Sequence, residues 1–566
     1  LALRRALTRI AMTLLLALVL AAADPVAAYA NLKRPAAGDA RGRIATVVQA
    51  LSDAQMPRSA TVLLAALAND PAQPDDVRGA ARSELVARAA QDSGLSLLLL
   101  AEEGDPGKLP PALAVLLARG HLERALQLAP PEEGVAFEGL RQQGDGVAQP
   151  ASAESAPAPL DKDLTAEMGE TAPEAPPPAP GPARAEPPKE AQRELDRARA
   201  LAASVPPGDP QEGDAREVAG LSALAQGDLQ GAGKEFLAVA QMVPRRGDKV
   251  AEQRRDKAWL QLARLAYQGG NDAAAAALYE RVGRGAPEWL DALFEASWAR
   301  FRQGEDEKAL GNLLTLHAPF FQNRFFPESF VLKAVVMYEN CRYAEARASL
   351  AEFQQRYQAV HDGLAELLSR LPTAQAASDL ILRGPVALQS SVPPAAREEV
   401  ARVEQDADLR GAAEAAVQLA REIDSIDGRP EPFRNSALVA RVAPLARKAR
   451  VQLLEVAGRR LISRLDAERA ELRELLGQSL RLSFEIAGRE KDLAADPGSA
   501  LTAGTHKDPP QVADDEELWP FQGEYWRDEL GSYRYELGQR CKKPRAPLQT
   551  ASQPQPAPEQ VAAQPK

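Results

Sequence analysis

Aromatic residues make up only 5% of this 566-residue chain, which also has just two cysteines and four histidines. Two cysteines exclude a disulfide-stapled scaffold. His121, His317, His361 and His506 are scattered, and no Cys/His cluster has metal-ligand spacing, which argues against a multi-metal enzyme. Neither an HExxH nor a GxSxG motif is present. Gly104-Asp105-Pro106-Gly107-Lys108 and Gly231-Ala232-Gly233-Lys234-Glu235 evoke phosphate loops. Both lack the first glycine at the required offset and a Ser or Thr after the lysine. A basic face is also missing: the net charge is -11. That balance argues against a nucleic-acid partner, whose phosphates need cations, and against docking on anionic lipid. Beyond the N-terminus, no run approaches the 18 or so apolar residues of a membrane span. Val, Ile and Thr are scarce beside Ala and Leu, which favours helix over sheet. The expected class is all-α, with no cofactor, no metal, no small-molecule substrate and no catalytic residues.

The N-terminus has the form of an export signal. Arg4, Arg5 and Arg9 precede an apolar run at 10–23 broken only by Thr13, and Ala28-Tyr29-Ala30 has the small-x-small form of a cleavage site. Cleavage would leave a mature chain beginning near Asn31; an uncleaved anchor is the alternative, and the signal segment is then the one membrane contact. The composition fits a periplasmic protein of a Gram-negative cell. In that oxidising space Cys341 and Cys541 would pair or stay as independent thiols, with Cys341 buried in a helix pair.

The expected order along the chain is a signal at 1–30, a helical module at 31–146, a Pro/Ala-rich linker at 147–190 and a helical solenoid at 191–371. A long helical hairpin or coiled coil at 372–495, a loop with an aromatic helix at 496–543 and a disordered tail at 544–566 follow. Eleven of the 44 residues at 147–190 are proline, too little apolar surface to offset chain entropy. Long helical patterns occupy 396–426 and 436–493. In the second, alternating 3-4 steps pass through Leu454, Gly458, Leu461, Leu465, Glu468, Leu472, Leu475, Ser479, Leu482, Ile486, Arg489 and Leu493. Eight of these twelve are apolar, a narrow seam of coiled-coil type. The two patterns predict an antiparallel hairpin, with a parallel dimeric coiled coil as the runner-up.

A helix-pair repeat is visible between 211 and 360. With Gly227 as turn residue, Ala232, Phe236 and Pro244 follow at five, nine and seventeen; with Gly270, so do Ala275, Tyr279 and Pro287. Gly304 is followed by Ala309 and Leu313, and Cys341, standing in the glycine position, by Ala346 and Leu350. This pattern resembles the tetratricopeptide (TPR) family, whose unit of about 34 residues is an antiparallel helix pair. The intervals here are 43, 34 and 37 residues. Two stretches, Trp289 through Trp298 with the aromatic residues at 319–329, and 519–530, resemble TPR-like proteins of gliding proteobacteria.

The TPR resemblance implies an α-solenoid whose first helices line a groove for a partner polypeptide. It places Tyr267, Trp298, Phe301 and Tyr338 as an aromatic stripe there, flanked by Lys257, Arg264 and Arg302. An off-by-one register would make the aromatics core instead. Trp526, Leu530, Tyr533 and Leu537 are spaced as one helical face, which predicts a docking helix or a C-terminal cap over the chain's own array. The expected function is a non-enzymatic periplasmic scaffold that binds envelope proteins through the TPR-like groove, in a complex such as gliding-motility machinery. An adaptor for outer-membrane or peptidoglycan assembly is the alternative. A third reading, an enzyme in the N-terminal module, would need converging polar groups around His121.

Overall fold

The computed structural model describes residues 24–32, 39–89, 109–128, 187–383, 390–495 and 521–537. The apolar run at 10–23, nearly all of the 147–190 segment, the 496–515 loop, the 544–566 tail, His506 and Cys541 lie outside them. The described residues form 19 α-helices and no strand. In chain order these begin with α1 (Pro25–Leu32), α2 (Ala40–Asp53), α3 (Pro57–Ala68), α4 (Asp75–Ala89), α5 (Pro111–Leu128) and α6 (Lys189–Ala203). Next come α7 (Glu212–Ala225), α8 (Leu229–Ala240), α9 (Lys249–Gln268), α10 (Asp272–Tyr279), α11 (Trp289–Arg302) and α12 (Asp306–Leu316). The last are α13 (Glu328–Glu339), α14 (Tyr343–Ser369), α15 (Ala374–Leu382), α16 (Arg397–Val403), α17 (Ala407–Ser425), α18 (Glu431–Arg434) and α19 (Ala437–Ala495).

The chain divides into two compact units that do not follow the linear order read from the sequence. One holds Leu1–Pro130, Pro188–Ser222 and Arg356–Glu474. Its centre is α3, nearly every residue of which is buried. That helix starts at Pro57 after Met56, which offers no side-chain cap. Its free N–H groups are met from far along the chain. Glu422 of α17 accepts from Arg58 N at 2.9 Å and Ser59 N at 2.7 Å. A carboxylate at a helix N-terminus satisfies orphan donors and complements the dipole. Ala412, Ala415, Ala416 and Leu419 of α17 share a core with Ala446, Ala449, Leu453 and Ala457 of α19 and with Val62 of α3. Small residues on both sides let these helices approach closely. The pattern expected as one helix over 396–426 is two, α16 and α17. The break falls at Asp406, whose Oδ1 accepts from Leu409 N at 3.0 Å. Ala28-Tyr29-Ala30 lies inside α1, where Ala28 and Tyr29 are buried.

The second unit holds Pro131–Pro187, Ala223–Gln355 and Leu475–Lys566. Its frame is repeat-like. The joints between α7 and α8, α9 and α10, α11 and α12, and α13 and α14 each contain one residue in the left-handed region: Gly227 (φ 79), Gly270 (φ 75), Gly304 (φ 76) and Cys341 (φ 55). At each joint the following N–H reaches back five residues: Asp228 to Ala223 O, Asn271 to Ala266 O, Glu305 to Arg300 O and Arg342 to Met337 O, all at 2.8–2.9 Å. This is the same helix-ending bond four times. Ala232, Ala275, Ala309 and Ala346, five residues past each turn, are buried, as are Phe236, Tyr279, Leu313 and Leu350, four further on.

The four interruptions of the α19 seam have separate causes. A Cβ on Gly458 would overlap the Ala374 carbonyl of α15, so the glycine admits a crossing helix. Glu468 pairs with Arg402 at 2.9 Å. Ser479 accepts from Gln354 Nε2 at 3.3 Å, and Arg489 Nε donates to the Tyr338 hydroxyl at 3.4 Å. These contacts are made within the chain.

Candidate functional site

The residues expected to line a groove fall on consecutive first helices, but their side chains are engaged with one another. Tyr267, Trp298 and Phe301 are buried, and Tyr338 is half-buried. Trp298 and Phe301 meet edge to face with ring centroids 6.0 Å apart. The Arg302 guanidinium lies 4.9 Å over the Tyr267 ring and its Nε is 3.0 Å from Asp272 Oδ2. Arg264 forms a two-pronged pair with Glu295, Nη2 to Oε1 at 2.6 Å and Nε to Oε2 at 2.9 Å. Lys257 Nζ is 3.8 Å from Glu288 Oε1. The stripe is therefore packing between hairpins, and its cations are occupied by carboxylates one repeat away. Glu295 and Asp272 were not legible as partners, because each pair is some thirty residues apart in sequence and no local period marks it.

Electrostatics follow from this burial. Desolvation alone would lower the Arg264 pKa, but the Glu295 carboxylate outweighs it and the pKa rises. Burial raises the Tyr279 hydroxyl, which also bonds to Glu295. Burial pushes Asp272 and Asp291 up to about 6 and Glu468 up to about 7, with Arg302, Arg264 and Arg402 opposing only in part. The sign is fixed by linkage. An acid whose folded pKa exceeds its unfolded value favours folding when protonated, so its contribution is full below about 4 and is lost as pH rises through 6 and 7. Asp406 and Glu305, held below their ordinary values, act only under more acidic conditions. The midpoint of thermal unfolding is therefore expected to be higher at pH 5.5 than at pH 7.5. A scan of melting temperature against pH that is flat or rises across that window contradicts these assignments.

The expected aromatic helix near the C-terminus is not a helix. Residues 521–537 run as turns and extended chain, and Gly523 (φ 103) and Gly531 (φ 89) stand in the left-handed region that helix excludes. Leu530 and Leu537 are buried, Tyr533 is half-buried and Trp526 is 54% exposed. The segment lies on the hairpins of its own unit: Gly531 N donates to Thr315 Oγ1 at 2.9 Å and Tyr535 N to Glu307 O at 3.1 Å. Around it the surface carries aromatics. Phe320 and Phe521 are 44% and 42% exposed, and Arg527 sits 5.0 Å over the Phe320 ring. Tyr525, Phe521 and Tyr533 form a mutual edge-to-face cluster with centroids 5.2–6.1 Å apart.

Other candidates resolve into structural roles. Gly231 through Lys234 lie within α8, and Gly231 N is taken by Asp228 Oδ1 at 2.8 Å. His121 Nδ1 is 2.6 Å from Glu194, joining α5 to α6. His317 stacks on Phe330 at 4.2 Å with Nε2 2.9 Å from Ser329 Oγ, whose hydroxyl donates to Phe326 O. Among the described residues no three His, Cys, Asp or Glu side chains are placed to hold a metal ion. No described helix is long and apolar enough to cross a membrane. Cys341 is disulfide-bonded. No protein-family model, curated protein or solved structure matches the chain.

Proposed function

We propose that this chain is a non-enzymatic scaffold, built as a TPR-like array of helical hairpins, that is exported to the periplasm and holds protein partners in a cell-envelope complex. The reading is supported by the four hairpins closed by the same bond at Gly227, Gly270, Gly304 and Cys341. Stacked helix pairs of this kind make extended, rigid surfaces suited to holding other proteins. Burial of Tyr267, Trp298 and Phe301 moves the expected contact site away from the first-helix stripe. The exposed cluster of Trp526, Phe320 and Phe521, with Arg527, has the aromatic and arginine composition of an interface anchor. A gliding-motility complex is the process favoured by the resemblances at 289–298 and 519–530; outer-membrane or peptidoglycan assembly is the alternative. A photoreactive residue at Trp526 is expected to capture an envelope protein in living cells. Capture of a motility component would favour the first process, and of a wall synthase or barrel-assembly protein the second.

A further inference from the structure

Helix α19 is charged unevenly along its length. Residues 437–465 hold seven Lys or Arg against one acid, Glu455, in a chain whose net charge is -11. One side of this stretch is core, where Ala446, Ala449, Leu453 and Ala457 pack on α17. Four of the seven bases are paired. Arg441 is 3.2 Å from Asp70, Arg459 meets Glu455, and Arg460 and Arg464 are 3.0 and 4.0 Å from Asp406. Arg447, Lys448 and Arg450 are the other three. Among the described residues, no carboxylate or other acceptor meets their side chains. Arg447 and Lys448 are exposed, and Arg450 is half-buried with its Nε lacking an acceptor. Residues three and four apart are neighbours on a helix, so exposed Pro444 lies one turn before Arg447 and Lys448, and Val451 one turn after them. Val451 is 58% exposed. The result is a compact face with two unpaired cations between two uncovered apolar side chains.

We propose that the face of α19 formed by Pro444, Arg447, Lys448 and Val451 is a docking surface for an acidic polypeptide segment. Charge complementarity selects the partner. Carboxylates of the segment meet Arg447 and Lys448, and an arginine can take a carboxylate through two N–H groups at once. An apolar side chain next to the acids covers Val451 and Pro444. A bilayer does not fit this face. A helix that lies in a membrane interface buries a broad apolar side, and the broad apolar side of α19 is already packed on α17. The negative charge of the whole chain also opposes approach to anionic lipid and to nucleic acid. The surface belongs to the first unit and differs in chemistry from the aromatic cluster at Trp526. This inference does not rest on the scaffold reading, since purified protein and a defined peptide test it without any envelope partner.

The test uses the full chain and a fluorescein-labelled synthetic peptide, a run of glutamates followed by leucine, titrated by anisotropy. Wild type is expected to bind it, more weakly as salt is added. R447E/K448E is expected to weaken binding at least tenfold, because it sets like charges against each other. The milder R447Q/K448Q, which only removes the two charges, is expected to weaken it in the same direction. R245E/R246E makes the same change in net charge as R447E/K448E at two exposed arginines of the second unit, and is expected to leave binding within about twofold of wild type. Helical circular dichroism confirms that each variant is folded. No binding by wild type overturns the proposal. So does equal weakening by R447E/K448E and R245E/R246E, which would reflect the charge of the whole molecule, or equal binding of a peptide with glutamine in place of glutamate. Binding of phosphatidylglycerol vesicles that is lost in R447E/K448E, with no binding of the peptide, overturns it in favour of a membrane surface.

Discussion

Glu295→Ala is expected to destabilise the hairpin unit by about 3 kcal/mol, because it leaves the Arg264 guanidinium without its carboxylate among packed helices. The Glu295 side chain is only 5% exposed while Arg264 keeps 35%, which places the loss at the lower end of the range for buried pairs. The revealing comparison is the double variant Arg264→Met/Glu295→Leu. Replacing both charges with apolar side chains of similar volume removes the desolvation cost along with the attraction, so stability is expected to return to within about 1 kcal/mol of wild type. Chemical denaturation of the three proteins measures this. If the single variant is no less stable than the double, Arg264 is not held by Glu295. It would then be free to meet a partner, as the TPR resemblance implied.

The second large effect is expected at Glu422. This carboxylate is buried and is the cap of a helix more than 350 residues away in sequence. Glu422→Ala leaves the N–H groups of Arg58 and Ser59 without acceptors and opens a small void beneath α3. The expected cost is about 2–4 kcal/mol, from two unsatisfied donors and the lost cap. Glu422→Gln keeps one acceptor oxygen but turns an NH2 toward the second donor, so roughly half that loss is expected. Urea unfolding checks the order wild type, Gln, Ala. Equal stability of all three would mean that α3 needs no cap from α17.

These two residues show where sequence reading stops. The turns of the array were legible because their cause is local. A glycine, or Cys341 in its place, must adopt positive φ, and an alanine five residues on must fit between helices. Helix α19 was legible from its 3-4 seam. The four breaks in that seam were not, since Gly458, Glu468, Ser479 and Arg489 answer to α15, Arg402, Gln354 and Tyr338. The positions of Tyr267, Trp298 and Phe301 on first helices were readable, but their burial depends on what packs across them. Trp526, Leu530, Tyr533 and Leu537 misled for a different reason. An apolar i, i+4, i+7, i+11 spacing over so short a segment fits both a helix and a chain that turns and then extends. Gly523 and Gly531 were the local signals for the second.

Under the proposed function, partners are met at the exposed aromatic cluster of the second unit and not along the first-helix stripe. The direct measurement is in vivo photo-crosslinking with the reactive residue placed in turn at Trp526 and at Tyr267. Capture of one envelope protein in near-stoichiometric yield is expected from Trp526, and none from Tyr267, whose side chain is buried. Capture from Tyr267 with none from Trp526, in protein of normal helical content, would contradict it and return the contact site to the groove.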